Sequence, residues 1–259
     1  MTTSLQLSEH LEGLRSALVA MVRSAERAGL RAPVPTTPDW TVRRLVAHQG
    51  MVHRWAAAVV RGEVTTGADR SASDWEQEGI DAPDVLEWLR DGAIEIVTAI
   101  ATAPPDLDAL VFLADAPRPR EFWARRQCHE TTVHAVDALS AELGRYPRAA
   151  DAAWITPAVA LDGIDELLTG FLPRPRTRLR AEEPQRVAVR PTGSDVAWVI
   201  DVSDRPPVTT RVTAPAADGD TVLDGDPVAL YLTLWNRSDE IAPGDGWSLW
   251  RDGAQVRWA

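Results

Sequence analysis

The chain has 259 residues, 45% of them apolar and 25% charged, enough to bury one large core or two modest ones without a disulfide or structural metal. A single cysteine, Cys128, excludes an internal disulfide, a cysteine zinc cage and an iron–sulfur cluster, and makes the reducing cytoplasm the expected compartment. The net charge of −11 argues against a nucleic-acid partner, and because all 27 basic residues are arginine, Schiff-base and P-loop lysine chemistry are excluded.

The opening MTTSLQLSEHLEGLRS lacks a basic segment followed by an apolar run, so no secretory signal is expected. No stretch approaches ~18 uninterrupted apolar residues, so no membrane partner is expected. Leu7, Leu11, Leu14, Leu18, Met21 and Ala25 step by four and three, predicting a long amphipathic helix that stops at Gly29. The proline-rich stretch Ala32–Asp39 cannot continue it. Asp39 or Thr41 can cap a second helix running to about Arg61, with Leu45, His48, Val52, Trp55 and Val59 on one face. Gly62 to Ala82 reads as a loop or short helical pieces. A third helix is predicted from Asp84 to Ala103, a fourth from Glu121 to Leu143 and a fifth from Thr156 to Phe171.

Beyond the stiff connector Pro173–Arg176 the apolar period becomes two: Val187, Val189; Trp198, Ile200, Val202; Val208, Val212. Asp226-Pro227 opens a short helix over Val228–Trp235. Strand character is expected to return from Trp247 to Trp258 around the Asp252-Gly253 turn. The predicted fold class is α plus α+β: an up-down helical bundle over residues 1–172, then a small α+β domain over 173–259.

The chemistry-bearing residues cluster in the fourth helix. His129 and His134 are five residues apart, about 140° around a helix, which excludes the two-histidine zinc-protease motif. Glu130 and His134 are the pair at i, i+4 and can grip one ion. Asp137 extends that face and can orient His134. His48, on the apolar stripe of the second helix, supplies a third donor from a facing helix. Two imidazoles and a carboxylate with open positions suit zinc, nickel, copper or iron(II). The bland alternative is a packed Glu–His pair and a hydrogen-bonded core histidine.

Other polar residues receive structural readings. His53 is placed on a wetter helix face, as a surface residue or, second, at the mouth of the site, and His10 in solvent, with His129 as a packing histidine. Cys128 reads as a buried inert thiol. Arg125-Arg126 is either a solvated pair or an attractor of anions. Trp40 reads as a hydrophobic staple at the helix start.

The stretch Asp39-Trp40-Thr41-Val42-Arg43-Arg44-Leu45-Val46-Ala47-His48 resembles the second-helix motif of the actinobacterial mycothiol-dependent maleylpyruvate isomerase family, part of the DinB-like group of metal-binding four-helix bundles. Arg126-Gln127-Cys128-His129-Glu130-Thr131-Thr132-Val133-His134-Ala135-Val136-Asp137 is similar to its second signature. Gly225-Asp226-Pro227 through Tyr231–Arg237 resembles its C-terminal domain, related to sterol-carrier-protein folds. The resemblance implies that His48, Glu130 and His134 hold a divalent metal, zinc first, with nickel or iron(II) as alternatives. It implies mycothiol, a low-molecular-weight thiol, as cosubstrate and a small electrophilic or anionic molecule as substrate. It also implies that an arginine of the C-terminal domain holds the anionic substrate, and Arg237 matches that position. The implied reaction is isomerisation or S-conjugation. A non-enzymatic carrier of a metal or apolar ligand, or a regulatory protein, is the alternative. Oligomeric state is not legible.

Overall fold

The computed structural model describes residues 5–65, 71–241 and 247–256. The chain divides into two compact units, one formed by Gln6–Phe112 with Ala116–Pro147, the other by Arg148 onward with Leu113–Asp115.

The first unit is a helical bundle: α1 Leu7–Ala28, α2 Val42–Val60, α3 Ser71–Asp81, α4 Val85–Thr102 and α5 Pro119–Leu143. Helix α1 buries Leu14, Ala17, Met21 and Ala25, the stripe that the four-and-three spacing demands. It ends at Gly29, whose φ of 83° carries the chain out of the helix. Of the two candidate caps for α2, Thr41 is the one in use, its hydroxyl accepting from the Arg44 N–H at 3.4 Å. Asp84 caps α4 by accepting from the amides of Leu86 and Glu87 at 3.0 Å. At Gly50 of α2 the absence of a Cβ lets the Trp88 ring of α4 lie against the backbone, where a side chain would collide with it.

Helix α5 packs along α1 and against α2. It is buried on every face from Phe122 to Ser140, although that stretch carries two arginines, a glutamate, an aspartate and two histidines. Polar groups packed this deeply must be partnered by other protein groups or by ligands, and the candidate site lies among them. The segment 62–82, expected as a loop or short helical pieces, contains the helix α3; residues 66–70 lie outside the described ones.

The second unit contains α6 Pro157–Asp165, a π-helical turn Glu166–Phe171, strands β1 Gln185–Pro191, β2 Val196–Val202, β3 Val208–Thr213 and β4 Thr221–Gly225, then α7 Pro227–Leu234 and α8 Ser248–Gly253. The sheet order is β3-β2-β1-β4. β1 pairs antiparallel with β2 (Val187 opposite Ile200, Val189 opposite Trp198) and parallel with β4. Of the period-two residues, Val187, Val189, Trp198, Ile200 and Val202 are buried, whereas Val208 on the edge strand β3 is exposed and Val212 half-buried. Asp226 caps α7 by accepting from the Val228 amide at 2.8 Å, with Pro227 at the first helical position.

Two expectations require correction. The anticipated division at 172/173 falls instead at Pro147/Arg148. Helix α6 packs on α7, and Asp165 at its end is bonded to Trp198 of β2 and Arg211 of β3, so the fifth predicted helix belongs to the sheet's core. The expected C-terminal strand is helical over Ser248–Gly253: Trp247 and Trp250 stack with centroids 5.0 Å apart, and Trp250 donates its indole N–H to the Leu234 carbonyl. A spacing of three matches a helical turn, not a strand. Trp258 lies outside the described residues. Among the described residues no helix is long and apolar enough to cross a membrane.

Candidate metal centre

Helices α2 and α5 bring together residues 82 positions apart in sequence. His48, Glu130 and His134 each offer one ligand atom, and these atoms all lie within 4.8 Å of one another, all three residues being buried. His134 Nε2 stands 3.3 Å from Glu130 Oε1. A tetrahedral site with bonds of ~2.1 Å spaces its donors about 3.4 Å apart, so this pair already has ligand spacing.

The other atoms of these side chains are held from behind. His134 Nδ1 donates to Asp137 Oδ2 at 2.9 Å. Asp137 in turn accepts from the Thr36 hydroxyl at 2.6 Å. This holds the ring with Nδ1–H toward Asp137 and Nε2 toward the centre, so that loss of the Nε2 proton would turn its lone pair to an ion. Glu130 Oε2 accepts from the Arg126 guanidinium at 2.8 Å, and Arg126 is almost completely buried. His48 Nε2 is buried with no hydrogen-bond partner. An orphaned imidazole nitrogen facing a carboxylate and a second imidazole is costly unless a cation completes it. On that observation and on the donor set, these residues fit a divalent metal ion.

The electrostatics agree. Burial lowers the His48 pKa to about 3, with the His134 charge adding to the effect, so its imidazole is neutral at pH 7 and ready to ligate. Burial alone would push the Glu130 carboxyl up, but Arg126 and the His134 hydrogen bond outweigh it and hold the group ionised well below the usual carboxylate range. Burial also pulls His134 down, yet its bonds to Asp137 and Glu130 raise it to about 9.

Several residues read as bland from the sequence belong to this region. Trp40 is no remote staple: its ring lies 4.8 Å from His48 and is stacked on His134 at 6.0 Å, with the Arg44 guanidinium over its face at 5.1 Å. Arg126 is not solvated but paired to Glu130. His53 is completely buried, not on a wet face; its Nε2 lies 3.0 Å from the Thr131 hydroxyl and 2.8 Å from Gln49 Nε2. His10 is buried as well, edge-on to His129 at 6.2 Å. Cys128 is buried and does not join the ligand group. Arg237, on the second unit, donates to the Trp235 carbonyl at 2.9 Å. Sequence spacing carried a signal for Arg126, which precedes Glu130 by four and so shares its face.

The model of the mycothiol maleylpyruvate isomerase N-terminal domain matches residues 11–139, and that of the family's C-terminal domain matches residues 158–244. The chain belongs to the mycothiol-dependent maleylpyruvate isomerase family. A solved structure of a mycothiol-dependent maleylpyruvate isomerase superposes with a TM-score of 0.59, and one of a mutant with 0.61, each at 17% identity and covering 92% of both chains. At that identity the likeness speaks for the fold: the N-terminal bundle and small C-terminal α+β domain are those of the maleylpyruvate isomerases. No curated protein matches the chain significantly. The first family model ends at residue 139, in the last turns of α5, and the second begins at residue 158, at the start of α6, so the gap between them contains the division at 147/148.

Proposed function

We propose that this member of the maleylpyruvate isomerase family is a metal-dependent enzyme of the cytoplasm. It uses a low-molecular-weight thiol, mycothiol, to isomerise or S-conjugate a small electrophilic or anionic substrate. The observation that carries the reading is the orphaned His48 Nε2 aimed at Glu130 and His134. In this reading His48 Nε2, Glu130 Oε1 and His134 Nε2 are the ligands, and zinc is the first candidate, with nickel or iron(II) as alternatives. Bound there, the cation supplies Lewis acidity that lowers a thiol's pKa into the neutral range.

The chain's own residues do the rest. Asp137 holds His134 so that only Nε2 faces inward, and Thr36 holds Asp137. Trp40 lies on both imidazoles and shields them from bulk water. Arg237 is the proposed holder of the substrate's anionic group in the second unit. The triad serves isomerisation and conjugation equally. In one, the thiol adds to a double bond and leaves after rotation; in the other, the adduct is released.

Metal analysis of protein made in metal-replete medium should give one divalent ion per chain, lost in His48→Ala and Glu130→Gln. The loaded protein should turn over members of a small electrophile panel only when mycothiol is present. Unchanged metal in both variants overturns the ligand assignment. Turnover of no electrophile, or turnover indifferent to the thiol, overturns the enzymatic reading. Arg237→Gln should raise KM for an anionic substrate with little change in kcat.

A further inference from the structure

Glu130 has two oxygens that the fold treats differently. Oε2 accepts the Arg126 guanidinium at 2.8 Å, while Oε1 stands 3.3 Å from His134 Nε2 on the ligand side. Arg126 sits one helical turn before Glu130 on α5, at 1% side-chain exposure, so its guanidinium cannot swing into solvent and the pair is fixed by the helix itself. A carboxylate can bind a divalent cation through one oxygen or both. The second mode needs both lone-pair sets turned to the ion, and here one set is engaged by a buried charged donor.

We propose that Arg126 is a positioning residue that holds Glu130 to one-oxygen ligation and so keeps a coordination position open for the thiol. This rests on the metal-centre reading above and deepens it. With His48 and His134 each giving one nitrogen, the protein then fills three positions; two-oxygen ligation by Glu130 would fill a fourth. The charge balance points the same way. Arg126 neutralises part of the carboxylate, which makes Glu130 a weaker donor and leaves the cation a stronger Lewis acid toward an incoming sulfur. The bond to Arg126 is made within one helix, between buried residues four apart, so the one-oxygen mode is set by the fold itself.

The test uses full-length protein loaded with zinc or cobalt(II). X-ray absorption at the zinc edge of the unmodified protein should show a one-oxygen carboxylate, recognisable by its distant carboxylate carbon. A small thiol added to the cobalt protein should produce a sulfur-to-cobalt charge-transfer band. Arg126→Met removes the donor without leaving a polar group behind. At equal metal content it should show two-oxygen ligation by Glu130 and need at least about tenfold more thiol to half-saturate the band, roughly 1.4 kcal/mol. Arg126→Lys, which keeps a charged donor, should restore much of both signals.

A two-oxygen carboxylate in the unmodified protein overturns the proposal while leaving the metal centre intact. So does an Arg126→Met protein with unchanged ligation and thiol affinity. Should that variant fail to fold, the unmodified spectrum and the Arg126→Lys titration still decide: one-oxygen ligation in both supports the proposal, two-oxygen ligation in either overturns it. Failure of the unmodified protein to hold any metal at His48, Glu130 and His134 overturns the metal-centre reading and this one with it.

Discussion

Two buried carboxylates, one in each unit, face arginines, and only one of them keeps an oxygen directed at a cluster of ligands. Asp165 at the end of α6 accepts from Trp198 and from Arg211 Nε through Oδ1, and from a second Arg211 nitrogen through Oδ2. Both its oxygens are engaged by donors, and it clamps α6 to β2 and β3. Glu130 engages Arg126 through Oε2 and turns Oε1 to His134 and the orphaned nitrogen of His48. Burial and an arginine partner are therefore common to a structural carboxylate and a candidate ligand. The direction of the second oxygen separates them.

The largest expected contrast comes from neutralising each carboxylate. Glu130→Gln should weaken zinc binding by at least about 100-fold while the thermal transition of the metal-free protein persists. Asp165→Asn should leave one zinc per chain but lower stability by about 2 kcal/mol, because it loses charge-assisted bonds to two strands; urea unfolding with zinc titration of each variant measures both. Equal effects of the two changes on zinc would erase the distinction.

Asp137→Asn, which weakens the support behind His134, should lower zinc affinity by about 10–100-fold and leave the fold intact. Competition with a chromogenic chelator measures it.

The pH dependence follows with its sign. His134 is raised to about 9 in the metal-free protein, so at pH 7 it carries a proton that ligation must expel. Zinc affinity should therefore rise with pH, by about tenfold per unit below pH 9, with about one proton released at pH 7. Calorimetry in buffers of different ionisation heat counts that proton. In the metal-free protein, the same raised pKa stabilises folding fully below pH 6.5, and the contribution is lost as the pH climbs through 9. His48 and His53, both lowered to about 3 chiefly by burial, act oppositely. The unfolded chain takes up their protons below about 6.5 while the folded one does not, so stability should fall as pH drops from 6.5 toward 3. The smallest effect is expected at the α7 cap: Asp226→Ala should cost about 1 kcal/mol in urea unfolding and leave zinc content untouched.

Much of the site was legible because helical geometry is local. Glu130, His134 and Asp137 share a face by spacing alone, and His48 announced itself by lying on an apolar stripe. The burial of His53, His10 and Arg126 was not legible, although spacing places Arg126 on the face of Glu130. It depends on how tightly α1, α2 and α5 pack, and α5 has no polar face from which that could be read. Trp40 was placed at the correct helix start, but nothing local indicates that its ring reaches His134 on another helix. In the second unit the strands with apolar alternation, β1 and β2, were plain. The parallel edge strand β4 was not, because Thr221–Gly225 buries Leu223 alone. The division at 147/148 was hidden for a related reason: Asp165 looks like an ordinary helix residue until Trp198 and Arg211 close on it.

The most direct test is an anomalous difference map at the zinc edge from crystals grown with stoichiometric zinc. A single peak within about 2.3 Å of His48 Nε2, Glu130 Oε1 and His134 Nε2 is the predicted result. A peak elsewhere, or none between α2 and α5 at full zinc loading, would contradict the account.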